Sequence, residues 1–126
     1  MSFTNFLETE VLDHVFGGNA YSAPGTIYVG LFTAAPDDTG GGTEVTGGGY
    51  ARQSAAFTVS GNTASNSASI EYPTATASYG TVTHVGIFDA ASSGNLMAYA
   101  SLTASKAIDT GDVFRIPTGD LDITLD

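Results

Sequence analysis

The chain contains no cysteine and no tryptophan, and only three of its 126 residues are Lys or Arg. Without cysteine there is no disulfide framework and no thiolate metal site. Without tryptophan, a sugar-stacking surface lacks its largest aromatic platform. The three cations, Arg52, Lys106 and Arg115, face 13 acids, for a formal net charge of −10. Nucleic-acid binding needs basic side chains to displace counterions, so that class is excluded. An anionic membrane surface is excluded on the same ground. Charged residues total 13%, about half the ~25% usual in soluble domains. The polar surface must therefore come from Ser, Thr, Asn and Gly, which lose little entropy when pressed against a neighbour. No apolar run approaches the ~20 residues of a membrane helix. The N-terminal stretch carries acids and no Lys or Arg, unlike a secretory signal.

What is present is enough for one domain over residues 1–126. Hydrophobic residues make up 42% of the chain, and a domain of this size buries roughly two-thirds of its unfolded surface. Two segments repeat each other. Residues 29–35 read Val-Gly-Leu-Phe-Thr-Ala-Ala and residues 85–91 read Val-Gly-Ile-Phe-Asp-Ala-Ala. A strand with its exit loop, used twice, suggests a β-sandwich in which related strands occupy similar places.

One helix is expected, over about 2–16. Phe3, Phe6, Leu7, Val11, His14 and Val15 recur at three- and four-residue steps. Asn5 and Glu8 have capping-box spacing, Ser2 is an alternative cap, and Gly17-Gly18-Asn19 ends the helix. The rest reads as short strands with frequent turns: Thr26–Phe32, Tyr50–Val59 with a bend, Ser67–Tyr72, Thr81–Phe88, Leu96–Leu102, Val113–Ile116 and Leu121 to the final residue. In the last of these, Leu121, Ile123 and Leu125 alternate with Asp122, Thr124 and Asp126, as in a half-buried antiparallel strand. The fold class is mainly β: an antiparallel β-sandwich, jelly-roll-like, with one N-terminal α-helix.

No group of residues announces catalysis. His14 and His84 have no patterned partner and read as satisfied interior or interface histidines. No serine stands at a strand-to-helix elbow. The acidic turns Asp37-Asp38, Asp109-x-x-Asp112 and Asp120-x-Asp122 offer calcium-type oxygens. None matches the twelve-residue calcium loop, and Asp in turns ordinarily caps backbone amides. The glycine clusters at 40–42 and 47–49 lack the Lys and Ser/Thr of a phosphate loop. They read as a long close-packed or exposed loop at an interface. No catalytic residue, metal ligand or cofactor is assigned.

Several long strings do resemble a known family. They are Tyr28-Val-Gly-Leu-Phe-Thr-Ala-Ala-Pro36, Gly41-Gly-Thr-Glu-Val-Thr-Gly-Gly-Gly-Tyr-Ala-Arg-Gln53, and Tyr79-Gly-Thr-Val-Thr-His-Val-Gly-Ile-Phe-Asp89. Leu12-Asp-His-Val15 and Ile116-Pro-Thr-Gly-Asp-Leu-Asp-Ile-Thr-Leu125 add to them. Together they resemble small tailed-phage structural proteins, a group commonly labelled phage tail fibre protein. The resemblance implies a virion protein and not an enzyme. Small size and a neutral polar surface point first to capsid decoration or cement. Such a protein would bind the major capsid protein on the outer head surface, as a homotrimer, and stabilise the shell by mass action. The alternative is a tail fibre, spike or baseplate component that contacts other tail proteins or host glycan through Tyr- and Thr-rich loops. A carbohydrate-active enzyme ranks below both. The interface candidates are Phe3, Phe6, Leu7 and Val11 on the helix, with Gly47, Gly48, Tyr50 and Arg52 around the glycine-rich loop. Arg52 is expected to pair with a neighbour's carboxylate, where the guanidinium fork favours Arg.

Overall fold

The computed structural model describes residues 1–125. Its elements in chain order are β1 (Ser2–Phe3), α1 (Asn5–Val15), β2 (Ile27–Ala34), β3 (Thr43–Glu44), β4 (Gln53–Ala55), β5 (Phe57–Ser60), β6 (Thr63–Asn66), β7 (Ile70–Glu71), β8 (Gly80–Phe88), β9 (Leu96–Ile108), β10 (Arg115–Ile116) and β11 (Asp122–Thr124). The chain is mainly β with one helix, and the strands pair antiparallel. The large sheet runs β1-β9-β8-β2-β3, and β4 shares the outer edge of β2 with β3. Two small sheets, β10-β7 and β11-β6-β5, form the rest. Val29, Leu31, Val85 and Ile87 of the large sheet lie in one core with Ile70, Tyr72, Phe114, Ile116 and Leu121 of the smaller layer. That shared core makes the arrangement sandwich-like.

The repeated heptapeptides are neighbours. In the β2–β8 ladder Gly30 faces Gly86, Val29 faces Ile87 and Leu31 faces Val85. The repeats are thus related by a local two-fold through the glycine pair. Period-2 alternation puts the aliphatic residues on the core face and the glycines and phenylalanines on the other. On that second face Phe32 and Phe88 stack, with centroids 6.0 Å apart and planes 9° from parallel. Each ring covers the opposite strand's glycine. A Cβ on Gly86 would lie 2.7 Å from Phe32 Cε1, and one on Gly30 would lie 2.9 Å from Phe88 Cε2. The glycines are required by these rings, with Leu96 closing a second small core beside them.

Several boundaries differ from the sequence expectation, for physical reasons. Ser2–Phe3 is not helical: it pairs with Tyr99 and Ala98. The cap is Thr4, neither Asn5 nor Ser2. Its side chain accepts from Leu7 N and its Oγ1 donates to Leu96 O at 2.6 Å. Gly18, at φ 75°, lies just past the helix end as expected. The bend expected in Tyr50–Val59 is the break between β4 and β5. The strand β6, Thr-Ala-Ser-Asn, has no apolar signal and exists because β5 and β11 bond it from both sides. β9 continues six residues past Leu102, since Lys106, Ala107 and Ile108 pair with Val82, Thr81 and Gly80. The alternation of the last strand holds, with Leu121 buried and Ile123 half-buried. Leu125 is 52% exposed, and Asp126 lies outside the described residues.

Candidate interaction surfaces

The glycine-rich loop and Arg52 form a site, but one turned inward. β4 pairs with β2 up to Val29, and β3 pairs from Phe32 onward. This leaves a gap in the ladder at Gly30–Leu31, where backbone groups need partners. Tyrosine hydroxyls supply part of them. Tyr72 Oη donates to Val29 O at 2.7 Å, and Leu31 N donates to Tyr50 Oη at 2.9 Å. Val45 N closes the remainder by donating to Leu31 O. The Tyr50 and Tyr72 rings stack 6.1 Å apart, and Tyr79 meets Tyr50 edge-on at 5.8 Å. Burial, joined by the hydrogen bond to Glu44, pushes the Tyr50 phenol far above its ordinary value. Burial raises Tyr72 likewise. Both stay protonated and keep their donors.

Around Tyr50 lies an ionic cluster. Tyr50 Oη donates to Glu44 Oε2 at 2.6 Å. Arg52 grips the same carboxylate with two donors, Nε to Oε2 at 2.9 Å and Nη2 to Oε1 at 2.8 Å. Its Nη1 donates to Ala90 O and Ser93 O at 2.9 and 2.8 Å. The guanidinium carbon lies 3.4 Å from the Phe88 ring centre, a cation–π stack. One side chain therefore ties β3, the loop after β8 and the aromatic pair together. The ion pair expected across a subunit boundary is made within the chain instead, because the β2–β3 pairing of Phe32 with Glu44 brings that carboxylate alongside.

The other candidates are also mostly committed inside the domain. Gly48, at φ 62°, approaches Ala77 so closely that a Cβ would lie 2.6 Å from its carbonyl oxygen. Its own carbonyl accepts from Thr76 N at 2.9 Å. Val45 is only 4% exposed and anchors the loop to the domain, while Gly41, Gly42, Thr46, Gly47 and Gly49 stay exposed; Gly47 alone of the four loop candidates is exposed. Phe3, Phe6 and Leu7 pack half-buried on the core, and Phe6 meets Tyr21 edge-on. The hydroxyls of Tyr50 and Tyr72 serve the ladder, and that of Tyr79 donates to Pro73 O.

What the helix presents outward is a different set. Leu12, Val15 and Phe16 are 59%, 60% and 83% exposed. Spaced at i, i+3 and i+4, they share one side of the helix end. Val11 is half-buried between the two sets. The expected stripe through Phe3, Phe6, Leu7, Val11, His14 and Val15 is inward only in its first part: His14 and Val15 are exposed, because the last turn of the helix has no partner layer and joins Leu12 and Phe16 on the solvent side. Acids accompany the trio on the helix itself, at Glu8, Glu10 and Asp13, whereas Asp37 and Asp38 lie in the loop that meets the opposite, N-terminal end. Asp38 O accepts from Asn5 N, and its carboxylate accepts from Tyr99 Oη at 2.6 Å.

The remaining singled-out groups do local work. His14 Nδ1 accepts from Tyr21 N at 3.1 Å. His84 Nδ1 lies 2.8 Å from Thr83 Oγ1. Asp37 accepts from both Thr39 N and Thr39 Oγ1, which holds its carboxyl below the ordinary value. Asp112 caps Asp109 N, and Asp122 accepts from Ser65 Oγ. Among the described residues no three His, Asp or Glu side chains converge as metal ligands. No helix among the described residues is long and apolar enough to cross a membrane.

Two comparisons bear on identity. Curated proteins return no match. A family model, Podophage GP4 fiber I protein gp80, matches residues 2–124. The match spans both repeats, the Glu44–Tyr50–Arg52 cluster and the helix, and on that coverage the chain belongs to the podophage GP4 fiber I protein gp80 family, and is a virion structural protein.

Proposed function

We propose that this chain is a structural component of the phage tail, seated by its helix on a neighbouring virion protein, and that it catalyses nothing. Membership of a fibre family supports the tail over the head-decoration role read from composition. The observation that carries the docking is the exposed trio Leu12, Val15 and Phe16. Burying apolar side chains of this size contributes about 1.5–3 kcal/mol each, and here that gain is unclaimed within the domain. Acidic residues flank the trio in a chain of net charge −10. The complementary partner therefore presents an apolar groove rimmed by Lys and Arg.

The test is double. Labelled antibody against the chain is imaged on intact particles, and Leu12→Ser/Phe16→Ser chains are compared with wild type for recovery in purified virions. Tail labelling, with recovery down at least tenfold and the isolated fold unchanged, supports the proposal. Label on the head lattice would restore the decoration reading. Recovery equal to wild type would remove the helix as the seat. Sedimentation of the isolated chain reports whether a second copy, as in a homotrimer, occupies the face instead.

A further inference from the structure

We propose that the free edge of β5 pairs with the same edge of a second copy, joining two three-stranded sheets into one continuous sheet. In the sheet β11-β6-β5, β5 is bonded on one side only. Of the strands at the ends of the three sheets it is the longest, at four residues, Phe57–Ser60. The others are short or charged: β1 has two residues, and β3, β7, β10 and β11 carry Glu44, Glu71, Arg115 and Asp122. Proteins blunt exposed edges with charge, proline or bulges. Phe-Thr-Val-Ser has none of these and consists largely of strand formers.

The phase of the ladder fixes how two copies fit. Ser67 N donates to Ala56 O, and Thr58 and Ser60 follow in the same phase. They exchange backbone bonds with Ser65 and Thr63. The N–H and C=O of Phe57 and Val59 therefore point away from β6, and among the described residues they have no other backbone partner. The tight turn at Gly61-Asn62, with Gly61 at φ 60°, pins this register. An antiparallel pairing centred on Thr58 sets Phe57 against the second copy's Val59 and Val59 against its Phe57. Every outward backbone group of both edges then bonds.

The side chains agree with that register. Val59 is 71% exposed, yet it lies on the same face as Phe57 and Ile123, which pack on the core. Pairing covers it with the second copy's Phe57, an aromatic contact to a β-branched residue, and sets Thr58 against Thr58 on the polar face. Charge permits the meeting here. Two chains of net charge −10 repel over most of their surface. Asp122 is the one charged residue of these three strands. In the joined sheet the two Asp122 stand five strand spacings apart, about 24 Å, against a Debye length of ~8 Å. The same strip serves both copies, so the contact closes as a two-fold dimer and does not propagate.

The experiment follows sedimentation of the full chain up to about 1 mM, where weak specific association registers, and amide hydrogen exchange of its monomer and dimer. Expected are a doubled mass and exchange at Phe57 and Val59 at least tenfold slower in the dimer, with Thr58 and Ser60 protected in both. Val59→Pro removes an outward donor and spares the β5–β6 bonds, because Thr58 already has the extended backbone that precedes a proline. It should hold the chain monomeric. Val59→Lys changes only an exposed side chain and should weaken association at least tenfold, which keeps the test open if the proline variant does not fold. Leu12→Ser/Phe16→Ser should dimerise like wild type, so edge pairing and helix docking can fail separately. A chain that stays monomeric overturns the proposal, and so does a trimer. Equal exchange at Phe57 and Val59 in monomer and dimer overturns it too. Association that survives the Val59 substitutions, or that the helix substitutions abolish, places the second copy elsewhere and has the same consequence.

Discussion

Replacing Arg52 by Ala should destabilise the isolated domain as a whole. The substitution removes four hydrogen bonds and the stack on Phe88. It leaves the Glu44 carboxylate with Tyr50 as its remaining side-chain donor. Breaking a buried ion pair by deleting one partner costs about 3–5 kcal/mol. Here the Arg52 and Glu44 side chains are 9% and 22% exposed, so water can reach the stranded carboxylate and about 2–4 kcal/mol is the reasonable range. For a chain of this length that lowers Tm by roughly 10 °C. Arg52→Lys keeps the charge but cannot reproduce the fork, so it should fall between wild type and Ala. Urea denaturation of the three purified chains, with the m-value checked for constancy, measures the ordering. An Arg52→Ala unfolding free energy within about 0.5 kcal/mol of wild type would refute the reasoning and return Arg52 to the list of cations available to a partner.

Gly86→Ala and Gly30→Ala should each cost about 1–3 kcal/mol by overpacking, although alanine ordinarily stabilises a strand relative to glycine. Thermal melts that rise would show the aromatic covers to be loose. Asn66, only 2% exposed, donates to Ala68 O and Pro117 O and accepts from Leu121 N. Asn66→Asp would turn a carboxylate toward two carbonyls, for a loss of about 2–4 kcal/mol at neutral pH. Partial recovery on acidification would confirm that charge is the cause, and a midpoint independent of pH would argue against it. Asp89 caps the β8–β9 turn by accepting from Asn95 N at 2.7 Å and Asn95 Nδ2 at 2.9 Å. Burial raises its carboxyl, but the Asn95 bonds and nearby Arg52 outweigh this and leave it below the ordinary 3.8. The folded form thus holds the proton less tightly than the unfolded one. Its stabilisation is complete above that value and disappears as pH falls through the folded-state value. Carboxyl titration by NMR should place the Asp89 midpoint below that of an exposed Asp, and an Asp89→Asn chain should lose part of the wild-type stability drop in acid.

Local chemistry made much of this protein legible without coordinates. The strand class of 27–34 and 80–88, the helix and its glycine stop, the turns at 61–62 and 93–95, and the alternation at 121–125 follow from side-chain period and backbone preference, which act over a few residues. The repeats were legible as strands of related architecture, but that they pair with each other about Gly30 and Gly86 was decided by tertiary register. Tertiary structure decided everything that depends on which distant residues meet. It spent Arg52 on Glu44, drew Tyr50 and Tyr72 into a gap in a ladder, and made a strand of Thr63–Asn66 by flanking it on both sides. It turned Phe6 and Leu7 inward while leaving Leu12, Val15 and Phe16 exposed. Scarcity of cations is visible in a composition, but where each one ends up is a matter of long-range register, and no local pattern encodes it.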